Sequence, residues 1–369
     1  MASREEAIRA FLDKAGWGDA ERGPLAGDAS TRAYERLKGK KGRAVLMNAP
    51  AGPDGPPLDG ARKAYSAIAH LAEDCRPFVA IGGHLRALGL SAPELYAHDM
   101  AQGLLLLEDL GDDLYGPAIE TGTARDGTPL DELYRVAVDM LIELHGAGTP
   151  PRLSLPGGST YDVPPYDDAA LAIETELLTD WYIPVKKGAE LPGEEKEAYR
   201  ALWRDLFPLS RMGAPVLTLR DYHSPNLIWL GARKGPARAG LLDYQDAQQG
   251  SRAYDLVSLL QDARKDVPEA RENAMLDYYV ARAKEADSTF EEDAFRAAYA
   301  VLGTQRNAKI MGIFVRLWKR DGKPGYLAHL PRVSGYMERD LRHPVLAPLK
   351  AWLDTHVPQS LRAEILSAE

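Results

Sequence analysis

The stretch VLTLRDYHSPNLIWL at 216–230 runs from an apolar strand through a polar loop into a second apolar strand, and it carries Asp221 and Asn226 five residues apart. Such a loop can turn a carboxylate and an amide towards one space, the first to accept a proton from a hydroxyl and the second to bind a divalent cation. A second segment, ARAGLLDYQDAQQG at 237–250, runs apolar Leu241 and Leu242 directly into Asp243, with Asp246 following. A carboxylate released at a strand end suits magnesium, which keeps several waters and takes only one or two protein carboxylates beside nucleotide phosphates. Asp243 and Asn226 are a sufficient set, and no His or Cys cluster offers a competing zinc site.

These segments sit in a chain of 369 residues, long enough for two lobes, with the 45% apolar and 27% charged content of an ordinary globular protein. Prolines and glycines punctuate it. NAPAGPDGPPLDG at 48–60 must be a loop, and 148–166 is a second break. Before the first loop, STRAYERLKG at 30–39 alternates and RAVLMN at 43–48 is apolar, so the two predict an antiparallel pair around a GKKG turn. Helical spacing follows at Tyr65, Ile68, Ala69 and Ala72 and in PFVAIGGHLRALG, and then ELYAHD and GLLLLEDL predict two further strands. From Leu133 the apolar positions Val136, Ala137, Met140, Leu141 and Leu144 predict a helix. The same period recurs at 251–264, 272–284, 291–302 and 304–319, interrupted by short strands at 215–219, 226–230 and 239–243. The fold class expected is α+β and bilobal: a small antiparallel-sheet N-terminal lobe at 1–110, then a larger, mainly helical lobe at 111–369.

Composition also excludes partners. A net charge of −9 works against binding a polyanion, so no nucleic acid is expected, although a single nucleotide can still be held by a cation and local donors. The one cysteine, Cys75, permits no internal disulfide and fits a reducing compartment. MASREEAIRAFLDKAG is charged and helix-periodic rather than a signal peptide, and the longest aliphatic run, Leu104 to Leu107, is far too short to span a membrane. A cytoplasmic location with no membrane association is expected, and no protein partner is implied.

The loop RDYHSPN, the segment LDYQDA and the 17-residue step from Asn226 to Asp243 resemble the catalytic and metal-binding loops of the protein-kinase-like fold, in its aminoglycoside phosphotransferase branch. The resemblance implies ATP as phosphoryl donor, Mg2+ on Asn226 and Asp243, and Asp221 as the catalytic carboxylate. It places LAGDASTRAYERL over the phosphates, so that Gly27, Asp28, Ala29, Ser30, Thr31 and Arg32 become nucleotide contacts. Many relatives carry a phosphate-binding lysine on the next strand. Here the apparent equivalent is Met47, and Arg32 or Arg36 could supply the missing cation, Arg32 being preferred. LLLLEDLGDDL then corresponds to the hinge, with Glu108 and Leu110 reading the adenine edge.

GDASTRAYERL, LLLLEDLGDDLY, RDYHSPNLIWL, LLDYQDAQQGSRAYDLVSLLQDAR and TQRNAKIMGIFVRL are similar to a narrower group, the anomeric kinases for N-acetylmuramate and N-acetylglucosamine of bacterial cell-wall recycling. That resemblance implies ATP and a small amino sugar as the partners. In the last segment Ile310, Phe314 and Leu317 form an apolar stripe, while Arg306, Lys309 and Arg316 gather on another face. Arg306 and Lys309 could meet the lactyl carboxylate of N-acetylmuramate, or the face could simply be solvated. His223, between Asp221 and Asn226, could bond the acceptor or shape the loop. His145, at a helix end, suits the end carbonyls better than acid–base work, and Asp255 suits a structural role bonding loop amides. Other small-molecule kinases of the branch, acting on an aminoglycoside, choline, homoserine or another sugar, remain open. So does a nucleotide-binding pseudokinase, which the absent lysine motivates. A protein kinase is disfavoured because no APE segment follows LDYQDA.

Overall fold

The computed structural model describes residues 3–25, 32–52, 65–211 and 213–366, so Gly27, Asp28, Ala29, Ser30 and Thr31 lie outside the described residues. The chain divides into two compact units. One comprises Met1–Met140, Pro150–Pro164 and Pro225–Ala247, and the other Leu141–Thr149, Pro165–Ser224 and Gln248–Glu369. Packing therefore does not divide the chain at residue 110, because 111–140, 150–164 and 225–247 pack with the sheet-bearing part.

In the first unit an antiparallel sheet has the order β1 (Glu21–Leu25), β2 (Ala33–Gly39), β3 (Gly42–Asn48), β5 (Leu104–Glu108), β4 (Leu95–Asp99). The expected β2–β3 turn is present, with Gly39 opposite Gly42, whose φ of 104° a side chain would strain. The sequence signal missed β1 because Pro24 interrupts it; a proline is tolerated there because β1 is an edge strand. Against the sheet packs α1 (Arg4–Ala15), opened by a capping box of Ser3 and Glu6 and stopped by left-handed Gly16. Its Ile8, Phe11 and Leu12 join Trp17, Leu37, Ala44, Leu46, Leu104 and Leu106 in one core, each larger side chain contributing about 1.5–3 kcal/mol by burial.

The same unit holds α2 (Tyr65–Ile68), α3 (Arg76–Ala87), α4 (Tyr115–Thr121), most of α5 (Leu130–Gly146) and a hairpin of β6 (Arg152–Ser154) and β7 (Thr160–Asp162). That hairpin falls inside the proline-rich break at 148–166.

The second unit contains α6 (Asp168–Leu177), a π-helical turn leading to α7 (Ile183–Lys187), and α8 (Gly193–Ser210). It also pairs β8 (Val216–Thr218) with β11 (Gln248–Gly250). Between those strands the chain leaves to form β9 (Leu227–Trp229) and β10 (Ala239–Leu241) in the first unit. Then come α9 (Arg252–Leu260), α10 (Glu269–Ala286), α11 (Glu292–Asp321), α12 (Leu330–Asp340), α13 (Ala347–His356) and α14 (Gln359–Ala363).

The periodic segments 291–302 and 304–319, expected as separate helices, are one 30-residue helix, α11. Gly303 is not a break. A Cβ there would run into the Asp340 carboxylate of α12, and one on Gly312 would run into the Leu177 backbone, so both glycines permit close helix approach. The middle of α11 is consequently buried on every side from Ala298 to Ala308, polar residues included. Among the described residues no helix is long and apolar enough to cross a membrane.

Candidate active site

In the first unit β9 and β10 pair antiparallel with Leu227 opposite Leu241, and the Leu242 amide donates to the Asn226 carbonyl at 2.9 Å. This register puts Asn226 and Asp243 at the same end of one hairpin, which explains their spacing. Asp243 adopts φ 54°, a left-handed conformation uncommon outside glycine, that takes its side chain out of the strand direction. Its carboxylate, 42% exposed, accepts from Arg32 Nη1 at 3.2 Å and Gln245 Nε2 at 2.9 Å. Burial works against charge on Arg32, but Asp246 and Asp243 outweigh it and raise its pKa. Asp246 accepts from the Ala72 amide at 2.7 Å, which ties the segment after Asp243 back to the residues preceding α3. Tyr244 stacks on Phe78 of α3, ring centroids 4.6 Å apart.

These groups fit a hard divalent cation. The donors are an accessible carboxylate and an amide, and the carboxylate already faces a cationic guanidinium. Among the described residues no group of three or more His, Cys, Asp or Glu gathers, so waters and phosphate oxygens would have to complete the shell, as magnesium prefers. Met47 is buried opposite Tyr34 in the sheet, and Arg36 is engaged by Asp109 and Asp112, so of the two candidate arginines only Arg32 reaches Asp243. At the end of β5 the Glu108 amide donates to the Glu94 carbonyl at 2.8 Å and its carboxylate pairs with Arg233 at 2.6 Å. Leu110, past the strand end, is half-buried.

In the second unit the loop carrying Asp221 is fixed at both ends by buried acids. Asp255, in the first turn of α9, accepts from the amides of Leu219 at 2.6 Å and Arg220 at 2.8 Å, the structural role its position suggested. Burial pushes the Asp255 carboxyl up to about 7. Asp262 accepts from the Ser224 amide at 3.0 Å, and His223 Nδ1 stands 3.7 Å from its other oxygen. Burial would raise Asp262, but His223 and Ser224 hold it well below the usual carboxylate range. Arg220 has φ 70°, its carbonyl accepts from Ser258 at 3.2 Å, and its guanidinium pairs with Glu174 of α6 and lies over Tyr166.

Asp221 therefore stands, half-buried, on a rigid turn. Burial would raise its pKa, yet Lys309, His223, Arg220 and Arg306 outweigh that and keep it ionised. An ionised, preoriented carboxylate is what accepting a hydroxyl proton requires.

The solvated basic face that α11 could have presented is not what forms. Arg306 is 4% exposed and Lys309, half-buried, pairs with Glu174 at 2.9 Å, because α11 is central to its unit. Glu174 and Asp262 lack a sequence signal; they reach the loop through contacts 46 and 38 residues away in the chain. His145 is buried with Nδ1 2.8 Å from the Tyr279 hydroxyl and is pushed down to about 3 by burial, a packing residue.

Residues 21–296 match the model of the phosphotransferase enzyme family. The chain belongs to that family. The phosphotransferase is 43% identical over 369 residues to a relative from Caulobacter vibrioides named N-acetylmuramate/N-acetylglucosamine kinase, covering 98% of this chain and 99% of the relative. A relative of the same name from Pseudomonas aeruginosa is 36% identical over 357 residues, 94% and 93% of the two chains. Among solved structures it is similar to the GDP complex of wild-type aminoglycoside 2'-phosphotransferase-IIIa, with a TM-score of 0.56 at 12% identity over 92% of this chain and 100% of the other. Choline kinase from Cryptosporidium parvum gives 0.54 at 11% identity over 95% and 99%. At such identities the likeness is one of fold, and the fold is the kinase-like α+β one.

Proposed function

We propose that this phosphotransferase is an ATP-dependent kinase that phosphorylates the anomeric hydroxyl of N-acetylmuramate and N-acetylglucosamine, giving the sugar 1-phosphate and ADP. The observation that carries the substrate class is a likeness to relatives of that name running through 98% of this chain, both units included. In this reading the Asp221 carboxylate accepts the hydroxyl proton as the sugar oxygen bonds to the γ-phosphorus, and the bond from that phosphorus to the β,γ-bridging oxygen breaks, leaving ADP. Because a sugar hydroxyl is weakly acidic, the fixed aim of Asp221 matters more than its basicity.

Asn226 and Asp243 would hold the magnesium ion, which when bound neutralises charge on the nucleotide phosphates. Arg32, beside Asp243, serves as the cation that replaces the strand lysine. Gly27 to Thr31 with Met47, Glu108 and Leu110 belong to the nucleotide side and His223 with Arg306 to the acceptor side, while Lys309 is taken up by Glu174. The reaction is assigned to the cytoplasm, where ATP is supplied.

The test is phosphate transfer from ATP to a panel of amino sugars, aminoglycosides and choline, with NMR of the product to locate the phosphate. Phosphate on C1 of the N-acetylated sugars supports the reading. Transfer to another position, or only to the other acceptors, overturns it.

A further inference from the structure

The basic side chains around Asp221, namely Arg220, Arg306 and Lys309, are not equivalent. Glu174 is wholly buried on α6, and its two oxygens take up the guanidinium of Arg220, the ammonium of Lys309 at 2.9 Å, the Tyr166 hydroxyl and Gln305 Nε2 at 2.8 Å. Lys309 also lies 3.4 Å from the Tyr254 hydroxyl. Arg220, buried, and Lys309, half-buried, thus share one carboxylate.

The third, Arg306, has no such partner among the described residues. At 4% exposure its one hydrogen bond among the described residues runs from Nη1 to the Gln261 carbonyl at 3.4 Å, a long contact to a neutral acceptor, and no ion pair reaches it. It acts on Asp221 and Asp255 only through space. A buried guanidinium with donors left over is costly unless an anion completes it, and a planar carboxylate matches its geometry.

We propose that Arg306 is the specificity-determining residue for an acceptor bearing a carboxylate, with Glu174 withdrawing Lys309 and Arg220 from that task. The inference rests on the sugar-kinase reading above. It assigns the lactyl carboxylate of N-acetylmuramate, absent from N-acetylglucosamine, to Arg306 alone rather than to a pair of cations.

The experiment compares kcat/KM for N-acetylmuramate, its lactyl methyl ester and N-acetylglucosamine in the wild type, Arg306→Gln and Lys309→Met. The ester keeps the size of the acid without its charge, so the wild type reports on charge reading even if a variant folds poorly. A desolvated charge-assisted contact predicts that the acid-to-ester ratio in the wild type exceeds that in Arg306→Gln by about 10- to 150-fold. Lys309→Met should leave the ratio where it is. The proposal is overturned if the wild type does not distinguish acid from ester, if Arg306→Gln leaves the ratio unmoved, or if the ratio follows Lys309 instead. Failure of the wild type to phosphorylate either parent sugar would instead sink the sugar-kinase reading, a separate outcome.

Discussion

Replacing Glu174 with Gln keeps the shape of α6's buried side chain but removes a charge that Arg220 and Lys309 both contact at close range. Breaking a buried ion pair by deleting one partner costs about 3–5 kcal/mol, because the remaining charge is left desolvated. With 0% of Glu174 exposed, solvent cannot soften that loss. At about 2–4 °C per kcal/mol for a unit of this size, the melting temperature should fall by about 6–20 °C in far-UV circular dichroism.

Glu174→Gln with Lys309→Met has one fewer stranded cation and should regain part of the loss. Because Arg220 immediately precedes Asp221, the single variant should also lose kcat while its affinity for ATP holds. The pH dependence has a definite sign. Burial would raise the Glu174 carboxyl, but Lys309 and Arg220 outweigh it and lower it below the usual 4.5. Its contribution is therefore complete above that value and is lost only as pH falls through the lower folded pKa. A Glu174→Gln protein that melts with the wild type at neutral pH would refute this account of the cluster.

Two further outcomes follow from the first unit. Asp243→Ala should weaken magnesium-dependent ATP binding by more than the about 10- to 100-fold typical of a group that only orients a metal ligand, while metal-free nucleotide binding changes little in calorimetry. Gly82→Ala would place a Cβ 2.5 Å from the buried Tyr244 hydroxyl, costing about 1–3 kcal/mol and raising the magnesium needed for half-maximal rate, since Tyr244 follows Asp243. Adding Tyr244→Phe removes the offending hydroxyl, which has no partner among the described residues, and should restore both; no rescue means that the contact does not position Asp243.

Local sequence made Asn226 and Asp243 legible because their geometry is local. Asn226 and Asp243 flank a two-strand hairpin, and an apolar run ending in a carboxylate announces such a strand end. The β2–β3 turn was legible for the same reason, through its alternation and its glycines. Arg306 was legible as a basic residue on a helix face that could either meet a carboxylate or stay solvated. A polar residue on a periodic helix reads as solvent-facing, and only the central packing of α11 reverses that. Glu174, Asp255 and Asp262 shape the Asp221 loop through contacts that no window of neighbouring residues contains, and of these only Asp255, near a helix start, could be anticipated.

The central claim is that Asp221 is the carboxylate that takes the acceptor's proton, and steady-state kinetics of Asp221→Asn alongside its ATP dissociation constant test it most directly. The account predicts a fall in kcat on the order of 10²-fold or more with ATP affinity nearly unchanged. Turnover close to that of the wild type would contradict it.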